Sequence, residues 1–250
     1  MKEIIVLLLA VLPVALLAWF IYRKDKFEKE PISMLAKAFF FGCLSIIPAI
    51  LIELLLASLF SSQSAVVNGI FHGYVVAGST EELCKLAFLA LAVWKSREFN
   101  EYFDGIVYAT IVSLGFAAVE NVGYVFSPDT FSGSLAIGTM RAILSVPAHF
   151  LFGVVMGYYF AIAKYQPSNR KSALWKAFLY PMLLHGTYDA LLMIPEGFNE
   201  DLGWLIAIIF IVFVYFDVKL WIIGMKKLKN LQQMSEQQMS ASNPVNGNEF

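Results

Sequence analysis

Seven long apolar stretches, each able to cross a lipid bilayer, constrain the fold of this 250-residue chain more than any other feature. A hydrocarbon core about 30 Å thick takes roughly 20 helical residues, and each stretch is about that long or longer. Charged residues make up only 15% of the chain, against roughly 25% in soluble domains. The stretches cover about residues 4–22, 33–60, 68–94, 104–126, 133–163, 174–195 and 203–224.

This pattern predicts an all-α fold, a polytopic transmembrane helix bundle of about seven to eight membrane helices. The fifth stretch contains Pro147 and is expected to divide into a short helix at about 133–145 and a longer span. Residues 1–229 are predicted to form the integral membrane domain, and the Gln-, Ser- and Asn-rich residues 230–250 a disordered cytoplasmic tail. A net charge of −1, without a basic surface, excludes nucleic acid as a partner. The lipid bilayer is the expected surrounding of the chain.

The loops alternate between basic and non-basic, as the positive-inside rule requires of a chain with seven spans. The loops near 61–67, 127–132 and 195–203 hold no lysine or arginine. We therefore expect the cell (plasma) membrane to hold this chain with its N-terminus outside and its C-terminus in the cytoplasm. The basic residues behind this prediction are Arg23, Lys24, Lys26, Lys29, Lys37, Lys95, Arg97, Lys164, Arg170, Lys171, Lys176, Lys219, Lys226, Lys227 and Lys229.

Titratable side chains from four of the stretches are predicted to meet at one depth in the middle-to-outer part of the membrane. A rise of 1.5 Å per residue places them about 16–26 Å from the cytoplasmic edge. Such groups are costly inside a membrane and mark functional sites by default. The candidate site residues are Glu81, Glu82, Glu120, His149, His185 and Asp189, with Lys85 and Asn121 in support.

The spacing within each helix brings these groups together. Lys85 follows Glu81 by four residues and Glu82 by three, so it can hold one carboxylate ionised beside the other. Asp189 follows His185 by four residues and can fix the tautomer of its imidazole. Small residues in "GFAA" (115–118) and "GVVMG" (153–157) permit close helix approach.

The chemistry that such a group supports is hydrolysis. Glu82 is the first choice as the general base that deprotonates water, with Glu81 supporting it. His149 and His185 would position the water or stabilise the oxyanion. Alternatively, Glu120, His149 and His185 could bind Zn²⁺ with Glu82 as base, although no HExxH motif requires a metal.

Two other interpretations stay open. Carboxylate and histidine chains also form proton relays, so the chain could be a proton-coupled membrane transporter or sensor. A non-catalytic network that only fixes helix packing is the third possibility. Glu53 and His72, near the outer ends of their helices, are interpreted as structural, and Arg141 as reaching outward in preference to binding a substrate carboxylate.

Four motifs, in their order and spacing, resemble the PrsW family of intramembrane proteases. That family is similar to the wider CAAX prenyl protease and bacteriocin-processing superfamily. The resemblance covers roughly residues 30–225. It rests on "EELCK" (81–85), "FAAVEN" (116–121), "HFLFG" (149–153) and "HGTYD" (185–189).

The resemblance implies an intramembrane endopeptidase that makes the first, outer-side cut (site-1) in a single-span anti-sigma factor. Glu81 and Glu82 match the family's paired glutamates, one of which activates the water. His185 matches the essential histidine of the last motif, and His149 the histidine before Phe-Gly.

Three further positions compare with the CAAX relatives. Glu120 stands where those relatives typically carry a histidine, and Asp189 where they carry asparagine or aspartate. Lys85 departs from their pattern, which has an arginine one residue later, but fits the PrsW form. Since the family is described as both metallo- and glutamate-type, the metal alternative stays open.

Overall fold

The computed structural model describes residues 1–242, and this part of the chain forms seven continuous helical rods. The third and fifth rods each contain a π-helical segment, named here π1 and π2. Short 3₁₀ turns at Pro167–Asn169 and Glu200–Leu202 precede the last two rods. The rods are α1 (Lys2–Lys24), α2 (Ile32–Leu59), α3–π1–α4 (Ala65–Ile70, Phe71–Gly78, Ser79–Val93), α5 (Asp104–Val125), α6–π2–α7 (Phe131–Met140, Arg141–Ser145, Val146–Tyr165), α8 (Arg170–Glu196) and α9 (Gly203–Ser242).

Six of the helices are long and apolar enough to cross a membrane, which makes this an integral membrane protein with several spans. The predicted all-α, multi-span fold is therefore confirmed. The third rod, which carries the charged residues Glu81, Glu82 and Lys85, is not among the six. The count of seven spans stays a prediction. The six are Lys2–Lys24, Ile32–Leu59, Asp104–Val125, Phe131–Tyr165, Pro167–Glu196 and Gly203–Ala241.

Helices α5 and α7 form the centre of the bundle. In the most apolar part of α5, 83% of the residues are buried within the protein, against 11% in α9. The outer helices α1, α2 and α9 expose large apolar side chains such as Leu12, Leu54 and Ile211. A soluble protein rarely exposes so many such side chains, whereas lipid tails are as apolar as leucine.

Small residues let the two central helices approach closely, as the sequence predicts. A Cβ atom added to Gly157 would lie 2.6 Å from the Cα of Ile106, and one added to Gly153 would lie 2.9 Å from the Cα of Thr110. Both distances are below ordinary van der Waals contact. Larger side chains at these glycines would push α7, and with it His149, away from α5.

Two boundaries differ from the sequence-based expectation. The fifth rod does not break at Pro147; it continues through π2, and the proline is the second residue of α7. Helix α9 continues through residues 230–242, which were expected to be disordered. Leu231 and Ser235 are buried there, and Ser235 Oγ accepts a hydrogen bond from Phe103 N (2.8 Å). Residues 243–250 of the expected tail lie outside the described residues.

A second group of buried acids lies at the opposite end of α5 from the candidate site. Asp25 and Glu30 belong to the α1–α2 loop, Glu101 to the α4–α5 loop, and Asp104 begins α5. Asp104 Oδ2 accepts hydrogen bonds from the backbone N–H groups of Asn100 (2.8 Å) and Glu101 (2.7 Å). These four carboxylates are called the inner acidic group below.

Candidate active site

A cavity of about 980 Å³ lies between α2, α5, α8 and the rods that contain π1 and π2. Most of its lining is apolar, including Ile46, Val76 and Phe116. Ser127, just beyond α5, and Glu196, at the end of α8, also line it. The cavity therefore reaches the end of the bundle whose connecting loops lack lysine and arginine. The ionisable residues that line it are Glu53, His72, Glu81, Glu120, Arg141, His149, His185, Asp189 and Glu196.

Lys85 lies at the centre of the polar network beside this cavity, and its side chain is completely buried. Its Nζ donates hydrogen bonds to Glu81 Oε2 (2.9 Å) and Glu82 Oε1 (2.8 Å) and contacts His149 Nδ1 (3.1 Å). The Phe116 ring centroid lies 4.2 Å from the same nitrogen. The two glutamates reach the lysine because helical spacings of three and four residues share one face.

His185 lies between two carboxylates. Its Nδ1 is 2.9 Å from Glu82 Oε1, and its Nε2 is 3.3 Å from Asp189 Oδ2, one helical turn along α8. Glu81 Oε2 is 3.9 Å from the same Nε2. The Phe152 ring stacks on the imidazole at a centroid distance of 4.8 Å. The ring is held in one orientation by these contacts.

His149 connects Lys85 to a second ion pair. Its Nε2 lies 2.9 Å from Glu120 Oε2, and Arg141 Nη2 lies 2.7 Å from the same oxygen. Because Nδ1 faces the lysine ammonium, it accepts, and Nε2–H donates to the carboxylate. Arg141 Nε donates to Asn121 Oδ1 (2.6 Å), and the guanidinium lies over the Tyr124 ring, 4.1 Å from its centroid.

Close packing of π1 against α8 positions the glutamates and lysine of α4 relative to His185 and Asp189 of α8. A Cβ atom added to Gly186 would overlap the Tyr74 ring, and one added to Gly73 would lie 2.8 Å from Ala190 N. Tyr74 Oη and Thr187 Oγ1 are 2.6 Å apart and link the same two elements. π-Helical turns are rare and often occur at functional sites, and both π1 and π2 contribute residues to the cavity wall.

Four side chains offer ligand atoms that all lie within 4.8 Å of one another: Glu81, Glu82, His149 and His185. This set, the four-donor group, differs from the zinc set suggested by the sequence, because Glu120 is not part of it. Its spacing alone is compatible with a metal ion. However, Lys85 Nζ already contacts three of its members at 2.8–3.1 Å, so a metal does not fit while the ammonium is present.

The structure brings all eight residues of the predicted site into one network, while their roles stay predictions. It distinguishes the two adjacent glutamates, because Glu81 lines the cavity, whereas Glu82 is completely buried and does not. It also corrects the interpretation of Arg141, which pairs with Glu120 and does not extend outward. Sequence reasoning gave this arginine too little weight, although an unneutralised guanidinium at that depth requires an acidic partner.

Comparison with known proteins gives consistent results. A sequence model of the PrsW family of intramembrane metalloproteases matches residues 30–216. The chain is 36% identical over 233 residues to the protease PrsW of Clostridioides difficile (strain 630), covering 92% of each. It is 36% identical over 216 residues to that of Geobacillus kaustophilus (strain HTA426), covering 86% of this chain and 87% of the relative. The protease PrsW of Bacillus subtilis (strain 168) is 31% identical over 228 residues, covering 90% and 94%. No solved structure matches the chain.

Proposed function

Because this chain belongs to the PrsW family of intramembrane metalloproteases and is an intramembrane protease, we propose that it is an endopeptidase of single-span membrane proteins. The proposed cut lies near the outer side of the cell membrane, and an anti-sigma factor is the proposed substrate. One observation carries the proposal: three carboxylates and two imidazoles of a buried charged network line a large apolar cavity. Such a cavity offers room for an unwound segment of a transmembrane helix.

Glu81 is the residue that we propose as general base. Its side chain is 8% exposed and lines the cavity, whereas that of Glu82 is 0% exposed and bonded to Lys85 and His185. A base must lie within hydrogen-bond reach of the water that it deprotonates. Glu81 therefore takes the catalytic role first assigned to Glu82, and Glu82 becomes the residue that holds Lys85 and His185 in position.

The hydrolysis proceeds in two proton transfers. Glu81 removes a proton from water, and the resulting hydroxide oxygen bonds to the peptide carbonyl carbon, giving a tetrahedral oxyanion. The His185 imidazole stays oriented by Glu82 through Nδ1, and its Nε2–H, 3.3 Å from Asp189 Oδ2, is shared with the oxyanion or the leaving nitrogen. The C–N bond then breaks, and the proton held by Glu81 passes to the leaving amine. Glu81 is then again a carboxylate, ready for the next water.

The ends of the cavity support an outer-side cut. The cavity reaches Ser127 and Glu196, next to loops without lysine or arginine. The positive-inside rule assigns such loops to the outside. With this orientation, the substrate backbone would meet Glu81 within the outer half of the membrane, and the C-terminus of the protease would lie in the cytoplasm.

Family membership favours a protease over the proton-coupled transporter and the packing network that the sequence alone left open. A relay of carboxylates and histidines conducts protons when each member can exchange its proton with the next. Here the row of hydrogen-bonded side chains that leads from Arg141 to Asp189 passes through Lys85, whose ammonium is held by two carboxylates. The lysine therefore interrupts such a relay. This arrangement supports fixed charges around a reacting water.

The test is a cleavage assay with purified full-length chain in proteoliposomes. Each candidate substrate is a tagged single-span membrane protein, and the set includes anti-sigma factors. We expect wild type to release a fragment whose mass places the cut in the outer half of the span. Glu81→Gln should release none, and the exposed control Glu236→Gln should cut normally. Equal cutting by wild type and Glu81→Gln would contradict the proposal.

A further inference from the structure

We infer that the Lys85 ammonium is the resident cation of the four-donor group, and that this protease cuts peptide bonds without a bound metal ion. The inference rests on the proposed function and concerns the catalytic type of the same site. It stands against the description of the family as metalloproteases. The argument depends on the contacts of one lysine and two histidines.

The first step is a count of donors and acceptors around Lys85. An ammonium group has three N–H donors and no acceptor. Glu81 Oε2, Glu82 Oε1 and His149 Nδ1 supply three acceptors at 2.9, 2.8 and 3.1 Å. The face of the Phe116 ring covers the nitrogen from another side. Every donor of this buried cation is therefore satisfied, and no part of it depends on water.

The second step concerns space. Zinc binds carboxylate oxygens and imidazole nitrogens at about 2.0–2.2 Å. An ion shared by Glu81, Glu82 and His149 would lie between their ligand atoms, in the volume that Lys85 Nζ now fills. Two cations cannot share that volume, because their repulsion would add to the loss of three hydrogen bonds. Metal and lysine are mutually exclusive at this position.

The third step concerns the imidazoles, because a metal ligand must offer an unprotonated nitrogen. His185 directs both ring nitrogens at carboxylates, Glu82 on one side and Asp189 on the other. Both positions favour an N–H that donates. His149 likewise directs Nε2 at Glu120 and its remaining lone pair at Lys85. Neither ring has a free lone pair for a metal ion.

The lysine then has a defined task. Its charge neutralises one of the two adjacent glutamates and fixes Glu81 Oε2 at the cavity wall. Water activation is left to the Glu81 carboxylate, and charge on the oxyanion to the donors of His185. Lys85 touches none of the reacting atoms and is a positioning residue.

The first experiment measures the metal content of full-length wild type by plasma mass spectrometry, after purification in detergent and equilibration with zinc. We expect less than about a tenth of a zinc ion per chain. Cleavage should proceed equally with 1,10-phenanthroline and with its non-chelating 1,7 isomer. About one zinc ion per chain, with cleavage lost to the chelating isomer only and restored by zinc, would overturn the inference.

The second experiment uses Lys85→Met, which removes the ammonium and keeps an unbranched side chain. We expect this variant to lose cleavage and to gain zinc, up to about one ion per chain, because the ligand atoms of Glu81, Glu82 and His149 that Lys85 contacts are then open. Adding Glu82→Gln should abolish the gained zinc, and the control Lys164→Met should bind none. A folded Lys85→Met chain that still excludes zinc would contradict the displacement argument.

The two proposals fail in different ways. Metal content is measured without a substrate, so it decides the inference even if no tested protein is cut. Conversely, a zinc-dependent wild type that cuts its substrate would remove the role of Lys85 and leave the proposed protease function intact.

Discussion

The network of the candidate active site and the inner acidic group are both buried polar clusters in an apolar protein, but they neutralise their charge differently. In the candidate active site, Lys85 and Arg141 form ion pairs with Glu81, Glu82 and Glu120. Across residues 1–242, no lysine, arginine or histidine side chain forms an ion pair with the inner four carboxylates. The first cluster is balanced by fixed cations, and the second can be balanced by protons.

The titration of the inner loop acids agrees with this difference. Burial raises the pKa of Asp25 to about 6, and burial also raises the pKa of Glu30 to about 7. Burial, together with the neighbouring Asp25 and Glu30 carboxylates, raises the pKa of Glu101 to about 7. Glu30 also accepts a hydrogen bond from the Tyr108 hydroxyl. Fixed cations keep carboxylates available for chemistry, whereas shared protons make an acidic cluster sensitive to pH.

The largest expected effect comes from separating the two adjacent glutamates. Glu81→Gln should lower the cleavage rate by about 10²–10⁴-fold with little change in thermal midpoint, because it removes the base from the cavity wall. Glu82→Gln should lower both, since its carboxylate is buried between Lys85 and His185. Cleavage kinetics and thermal unfolding in detergent measure the two effects. If Glu82→Gln were inactive with an unchanged thermal midpoint, and Glu81→Gln still cut its substrate, Glu82 would be the general base.

A smaller loss is expected when the support of His185 is altered. Asp189→Asn should lower the cleavage rate by about 10–100-fold, because the amide can no longer fix the imidazole as the carboxylate does. The exposed Asp129→Asn serves as the matched control. A rate profile against pH that is identical for wild type and Asp189→Asn would argue that Asp189 has only a packing role.

The ion pair between Arg141 and Glu120 tests whether fixed cations balance the charge of the candidate site. Arg141→Met should destabilise the protein by about 2–4 kcal/mol, because Glu120 is left at the cavity wall with only the His149 hydrogen bond and no cationic partner. The double variant Arg141→Met with Glu120→Gln should recover part of that loss. Thermal unfolding of the four proteins in the cycle measures the coupling. Strict additivity of the two substitutions would show that the pair is not coupled.

The smallest effect concerns the inner acidic group and its pH dependence. Glu101 faces Asp25, Glu30, Glu28 and the Ser235 hydroxyl, and its pKa is raised from an ordinary value of 4.5 to about 7. A carboxylate with a raised folded-state pKa binds more protons when folded, so stability falls as the pH rises from about 4.5 to about 7. Glu101→Gln should raise the thermal midpoint by a few degrees at pH 8 and leave it nearly unchanged at pH 4.

The control for this last measurement is Glu236→Gln, an exposed acid on α9. It should leave the pH dependence of the midpoint as in wild type. If Glu101→Gln and Glu236→Gln gave the same profile, the inner acids would not be balanced by protons, and the contrast between the two clusters would be lost.

The sequence predicted which residues meet in the candidate active site but did not predict the inner acidic group, because only the former residues differ in polarity from their neighbours in the chain. Glu81, Glu82 and His149 stand out because apolar residues surround them in the chain. Glu30 follows "RKDKFEK", where a buried acid looks like any solvated loop residue. Burial of such a loop depends on the ends of α1, α5 and α9 meeting, which no local pattern records.

Finer features of the site also depended on three-dimensional packing. Helical spacing correctly paired Lys85 with both glutamates, but it could not say which glutamate faces the cavity, because adjacent residues point about 100° apart. The π segments have no simple sequence signal, and Pro147 was interpreted as a break where the helix continues through π2. The end of α9 was missed because most of its residues are polar, although Leu231 packs in the main core and Ser235 accepts a hydrogen bond from Phe103 N.

The three charges of the third rod also bear on how the chain is made. Glutamate and lysine near the centre of a helix each cost several kcal/mol when a segment enters the bilayer from the translocon. The internal pairing of Lys85 with Glu81 and Glu82 reduces this cost but leaves one negative charge, and His185 of the later helix α8 lies against both carboxylates. We therefore expect this rod to stay at the translocon during synthesis until its later partners emerge. Its membrane insertion would then be an assembly step, and biogenesis would be most sensitive to substitutions in helices translated after it.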